Sequence, residues 1–354
     1  MNRRAIFLRG LVIGAAWLVA ACCHAEIKVV AGPLSATGNF HLDDKTRRSI
    51  SGVSCPAVVD GSRVCLVAFD EDAEARTIEI SDSKYKAHKK SVQLGPSNIE
   101  MDSEGVAADD KYYYVTGSHA NKRKHCEDNQ GSHRLVRIAY DQKTGLPLRK
   151  SGELQDINDQ YDIEDALPDN LRNSVGKCLG SVGDGFDIEG LAAYNGKLYV
   201  GLRGPTLRNP ASEFGALAYI VETSVLPADA GRSRKEPFMV AVPRGAAIRD
   251  MASVRGGILL LLGPDDDNHE VNWSISLWRV DDHVDRKYPV ATVDLGVLDL
   301  SKALRGDCDE TVKPEGMAVL AEGAEGDVER YHLAIFSDGM CDGGPVIVDA
   351  TRSQ

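Results

Sequence analysis

Asp187-Ile188-Glu189-Gly190-Leu191-Ala192, a turn at Asn195-Gly196, then Lys197-Leu198-Tyr199-Val200-Gly201 reads as a β-hairpin. Two short runs rich in Leu, Ile, Tyr and Val are bounded by Asp, Asn and Gly. Both are apolar almost without a break, which marks strands covered on both faces. The unit recurs along the chain. One copy is Asp102-Ser103-Glu104-Gly105-Val106-Ala107 with 112–115. Another is Pro314-Glu315-Gly316-Met317-Ala318 with 332–337. Ser51-Gly52-Val53 leads through Asp60-Gly61 to 64–69, and Arg249-Asp250-Met251-Ala252 leads through Gly256-Gly257 to 258–262.

Further apolar runs follow the hairpins at 76–80, 135–140, 216–222 and 275–280 and would be outer strands. Four-stranded sheets repeated about an axis make a β-propeller, so the fold class is all-β. The stretch from Gly52 to Gly316 holds four intervals between successive copies. Taken at their mean length, the chain from Glu26 to its end accommodates five such units. Five blades are expected, with six as the alternative. The longest interval, between Gly105 and Gly190, is where a sixth would lie. It reads instead as an insertion around 119–186, because 159–173 is polar and acidic with helical character. Only one further run, 346–348, follows the fifth hairpin. Residues 27–30 would supply its missing outer strand and close the ring, so 26–354 reads as one propeller domain.

Residues 1–25 read as an export signal. Arg3, Arg4 and Arg9 form a basic front, and 11–21 is apolar and uncharged. That run is shorter than the ~20 residues a membrane span needs. A cleavage site follows at Cys23-His24-Ala25. Val19-Ala20-Ala21-Cys22 competes with it as a lipoprotein processing site that would place a lipid anchor on Cys22. The expected location is periplasmic or secreted, with no transmembrane segment. The remaining six cysteines fit an oxidising compartment. Their positions favour three local disulfides: Cys55 with Cys65, Cys126 with Cys178 and Cys308 with Cys341.

The formal charge is −12, and the chain without residues 1–25 is near −15. Such a chain repels phosphate backbones, so nucleic acid is not an expected partner. No GxSxG elbow, P-loop or HExxH helix is present.

Several stretches carry a family resemblance. They are Phe69-Asp70-Glu71-Asp72, Gly117-Ser118-His119 with Lys122-Arg123-Lys124, and Asp187-Ile188-Glu189-Gly190-Leu191, together with Gly201-Leu202-Arg203-Gly204-Pro205 and Pro314-Glu315-Gly316-Met317. They resemble a bacterial family known as domain of unknown function 3616. The Glu-Gly pattern is also distantly similar to esterase-like, phytase-related propellers. No catalytic set of those propellers maps residue by residue.

In a propeller, inner-strand starts and the ends of the next strands meet on one face. The starts give Ser51, Glu104, Glu189, Asp250 and Glu315. The ends include Asp70, His119, Arg203 and Asp338. The expected ligand-binding set is therefore Glu104, His119, Glu189, Arg203, Asp250 and Glu315, around the mouth of the central channel. Crowded carboxylates there need a cationic answer. One answer is internal pairing with Arg203, His119 and Arg249. The other is calcium on Glu104, Glu189, Glu315 and Asp70, because that ion takes many oxygen ligands at flexible geometry. The structural alternative is that each Glu-Gly carboxylate bonds backbone amides at a blade junction. The expected function is binding of an anionic small molecule, or of a partner protein of the cell envelope, at the mouth, with Ca2+ as a candidate ion. The alternative is a metal-dependent hydrolase of phosphoesters or other esters and lactones.

Overall fold

The computed structural model describes residues 25–96, 100–122, 125–148, 154–156, 163, 167, 169–178, 185–213, 215–224, 236–266, 270–281, 284–306 and 308–353. The export segment, with Cys22, lies outside them up to residue 24. The strands that are described form five antiparallel sheets, the five blades of a β-propeller. Among the described residues no helix is long and apolar enough to cross a membrane.

The first strand, β1 (Ala25–Ala31), belongs to the last blade. Blade 1 follows as β2 (Ile50–Val59), β3 (Ser62–Phe69), β4 (Glu74–Ser81) and β5 (Lys84–Gln93). Blade 2 is β6 (Ser103–Ala108), β7 (Tyr112–Gly117), β8 (Leu135–Ala139) and β9 (Leu154–Asp156). Blade 3 is β10 (Asp187–Tyr194), β11 (Lys197–Gly204), β13 (Gly215–Ser224) and β14 (Phe238–Pro243), with the short β12 (Leu207–Arg208) paired to β13. Blade 4 is β15 (Ala246–Val254), β16 (Gly257–Pro264), β17 (Ser274–Trp278) and β18 (Val293–Val297). Blade 5 is β19 (Lys313–Glu325), β20 (Val328–Asp338) and β21 (Val346–Ser353). β1 pairs antiparallel with β21, from Ala25 opposite Arg352 to Ala31 opposite Ile347, and so closes the ring as expected.

The inner strands β2, β6, β10, β15 and β19 pack side by side around the axis, β19 returning to β2. Five apolar cores fill the five gaps between blades. The Glu-Gly step is what lets the inner strands come this close. A Cβ on Gly105 would fall 2.7 Å from Leu191 Cβ of the next blade. A Cβ on Gly190 would fall 2.7 Å from Met251 Cγ. Glycine is required there for room, not for an unusual φ.

All three expected disulfides are present, with Cα–Cα separations of 4.0 Å for Cys55–Cys65, 5.1 Å for Cys126–Cys178 and 5.7 Å for Cys308–Cys341. The segment 119–186 is more than an insertion, because β8 and β9 inside it are the outer half of blade 2. Helix lies there at α2 (Asp169–Arg172), and much of the rest of 159–173 is outside the described residues. The outermost strands are the ones that apolar runs do not reveal. β5 carries Lys84, Lys86, Lys89 and Lys90 on a blade edge, where charge guards against further pairing. A short helix, α1 (Asp44–Arg47), precedes blade 1 and is capped by Asp43, whose carboxylate accepts from Lys45 N and Thr46 N.

Candidate functional site: an acidic channel mouth ringed by bulges

In every blade the pairing of the innermost strand with its neighbour slips by one residue at the same place. The skipped residues are Ser51, Glu104, Glu189, Arg249 and Glu315. A β-bulge leaves its extra residue outside the ladder and re-aims the side chain. Here the fivefold repetition turns five side chains toward the axis. Glu104, Glu189, Arg249 and Glu315 line a cavity of about 1190 Å3 at one mouth of the channel. Ser51 stands just behind, its hydroxyl donating to the Glu104 carboxylate.

The fourth blade corrects the sequence register. Asp250 was expected in the acid ring, but the bulged residue is Arg249, and Asp250 occupies the place that glycine holds in the other blades. The Asp250 side chain is buried and accepts from Met251 N at 2.7 Å and Met317 N at 2.6 Å. It fastens blade 4 to blade 5 and does not line the cavity. Burial without a cation holds its pKa well above the usual carboxylate range.

His119 is also placed elsewhere. It is buried behind the cavity, in the left-handed backbone region at φ 54°, with its ring 5.3 Å edge-on from His133. Among the described residues neither ring nitrogen has a hydrogen-bond partner. Burial, reinforced by His133, pulls its pKa down to about 3, so the imidazole is neutral. A base with no access to the mouth does not fit a ligand-binding or proton-transfer role there.

Arg203 lies where expected. Its Nη1 is 3.0 Å from Glu189 Oε1 and 3.7 Å from Asp187. Arg249 Nη2 is 3.5 Å from the same Glu189 oxygen and in close contact with Glu315 Oε1. Internal pairing is therefore the answer on the side of blades 3 to 5. Glu189 Oε2, on a side chain 2% exposed, has no hydrogen-bond partner among the described residues. Burial pushes the Glu315 pKa up to about 7, with Arg249 opposing and Asp338 and Glu189 adding to it.

The other side is different. Asp70 and Glu104 line the mouth and have no basic side chain within ion-pair distance among the described residues. Burial holds both well above the usual carboxylate range, and the neighbouring acids reinforce it. Lys45 pairs with Glu71, Arg48 with Glu310 at 3.0 Å and Lys313 with Asp338 at 3.0 Å, which neutralises the rim locally. Across the whole lining twelve carboxylates face six cationic side chains. Among the described residues no three His, Cys, Asp or Glu side chains group so as to hold a metal ion. Of the four expected calcium ligands, Glu189 and Glu315 are tied to arginines, Glu104 bonds Ser51, and Asp70 forms no cage with them.

Sequence reading missed Lys45 and Arg48, which a capped helix brings to the rim, and Trp273 on the wall. Asp43 at an N-cap position was the available signal for the first two. Nothing in the local pattern marks Trp273.

Solved structures similar in fold include an α-L-arabinofuranosidase from Lactobacillus brevis, with 12% identity, 86% of this chain and 90% of that chain covered, and a TM-score of 0.40. A family 117 glycoside hydrolase of the marine bacterium Zobellia galactanivorans shows 12% identity, 93% and 90% coverage, and a TM-score of 0.41. A DUF4623 family protein from Bacteroides eggerthii shows 11% identity, 94% and 76% coverage, and a TM-score of 0.35. At these identities the likeness is one of chain path, and no substrate is carried across. Among curated proteins no sequence match was found. One family profile, described as "Protein of unknown function (DUF3616)", matches residues 54–149 and 148–338, most of the chain, and the chain therefore belongs to the DUF3616 family.

Proposed function

We propose that this is an exported binding protein whose channel mouth takes a small cationic ligand. The observation that carries the reading is the pair Asp70 and Glu104, without a basic partner among the described residues, in a mouth where lining acids already engage five of the six lining cations. An anionic ligand would enter a site with twice as many carboxylates as cationic groups and be repelled. A cation would relieve the crowding that raises the Asp70 and Glu104 pKa values. Calcium is one member of this class, although the side chains do not close an oxygen cage around an ion. Export is supported by residues 1–25 and by the three disulfides.

Thermal melting of the exported chain with calcium, spermidine, phosphate and citrate tests the reading. Calcium or spermidine should raise Tm, less so at high salt and less so in Glu104→Gln. Stabilisation by phosphate or citrate, with no response to either cation, would sink it.

A second reading, metal-assisted hydrolysis of a phosphoester, ester or lactone, has one observation in its favour. Glu315, with a pKa near 7 beside Arg249, is poised to give or take a proton at neutral pH. Turnover in a phosphoester and lactone panel that disappears in Glu315→Gln would favour it over simple binding.

A further inference from the structure

The mouth is not uniformly polar. One wall is largely apolar, interrupted by Asn272, Asp299 and Ser301. It is formed by Val271 and Trp273, which precede β17, and by Val297, Leu298, Leu300 and Val312 at the end of β18 and along the connection 298–312. Trp273 is seated by the backbone beneath it. A Cβ on Gly263 would run into its ring, so glycine is what lets the indole approach β16. Its carbonyl accepts from Leu298 N at 2.8 Å, which fixes the connection beside it. The Arg249 guanidinium sits 5.8 Å from the ring centroid, so the wall adjoins the bulged ring directly. Val297 remains 55% exposed although it borders the cavity.

Asp70 and Glu104, which have no basic side chain within ion-pair distance among the described residues, come from blades 1 and 2, across the mouth from this wall. Glu189 Oε2, on an almost wholly buried side chain of blade 3 in the same lining, lacks a donor among the described residues. A cavity of about 1190 Å3 is large enough to hold one molecule across both regions.

We infer that the ligand is an organic cation with an apolar body: an ammonium group held by Asp70 and Glu104, and an apolar or aromatic part laid against Trp273 and Val297. The inference rests on the cationic reading above and narrows its class. An inorganic ion would satisfy the acids and leave the wall unused. An apolar molecule without charge would leave the acids crowded. A ring on Trp273 gains offset-stacking and area burial together.

Calorimetric titration of the full exported chain with three probes tests it: phenethylammonium, methylammonium and calcium. Phenethylammonium should bind roughly tenfold or more tightly than methylammonium, the gain that burial of a phenyl ring supplies. Trp273→Ala should bring the ratio of phenethylammonium to methylammonium affinity down toward one. If Trp273→Ala does not fold, Val297→Ser at an exposed position should reduce the advantage, and phenethylammonium should perturb Trp273 fluorescence in the unaltered protein. Equal affinity for phenethylammonium and methylammonium overturns this inference while leaving the cationic reading standing. Binding of none of the three overturns both.

Discussion

At the scale of single residues, the mouth is a problem in buried charge. Taking a carboxylate out of water is expensive unless something answers it. Arg249 answers two at once, Glu189 and Glu315. Arg249→Met should therefore destabilise the fold by about 3–5 kcal/mol, the usual cost of leaving a buried partner charge uncompensated. Urea denaturation measures it. The Ser51 hydroxyl is the hydrogen-bond donor to Glu104 among the described residues, and burial, reinforced by neighbouring acids, raises the carboxylate's pKa. The folded chain thus keeps a proton that the unfolded chain gives up in the ordinary carboxylate range. Stability falls as pH rises from that range through the folded value. Glu104→Gln should melt higher than the unaltered protein at pH 8 and much the same at pH 4. A loss of stability at pH 8 would mean that the ionised carboxylate is needed. The acids of the ring were legible in the sequence because Glu-Gly repeats. Asp250 was misplaced because the sequence does not show which residue of Arg249-Asp250 leaves the ladder. That depends on Asp250 finding two backbone amides across a blade junction.

At the scale of elements, one bulge per inner strand does two jobs. It aims a side chain at the axis and is followed by the residue that touches the next blade. Gly105→Ala should cost about 1–3 kcal/mol, because the added methyl meets Leu191 Cβ and N in a packed junction. Gly323→Ala, on the outer part of β19 with nothing near its Cβ, should stay within about 0.5 kcal/mol. A different latch joins the last blade to the first. His332 on β20 contacts Asp349 of β21 at 2.6 Å and Asp82, in the turn after β4, at 2.8 Å. Those carboxylates raise its pKa against the opposing effect of burial. Its contribution is present below the unfolded histidine range and lost as pH rises through the raised folded value. His332→Gln should flatten the Tm-versus-pH curve in that window. Hairpins were readable here because inner strands are apolar on both faces. Charged outer strands such as β5 were not, because their buried positions, Tyr85, Ala87 and Val92, are spread among lysines.

At the scale of the whole molecule, the count of five blades followed from the mean spacing of the Glu-Gly repeat, and the ring closure from a single unmatched strand. Both are properties of a repeat, so they survive the loss of local detail. Removing residues 25–31 should expose the β21 edge and lower Tm by several degrees, with aggregation as the visible sign. The site was legible only in part. Its bulge acids Glu104, Glu189 and Glu315 belong to the repeat, whereas Trp273, Lys45 and Arg48 come from segments that no repeat encodes. The ring makes a charged pore at one end of the channel, and burial, reinforced by neighbouring acids, holds the Asp70 and Glu104 pKa values well above the usual carboxylate range. A ligand that neutralises these acids should release their protons. Calorimetric binding of spermidine near pH 7, in two buffers of different ionisation enthalpy, reads this directly. The account predicts net proton release on binding, diminished in Glu104→Gln. Proton uptake, or binding with no proton exchanged in either protein, would contradict it.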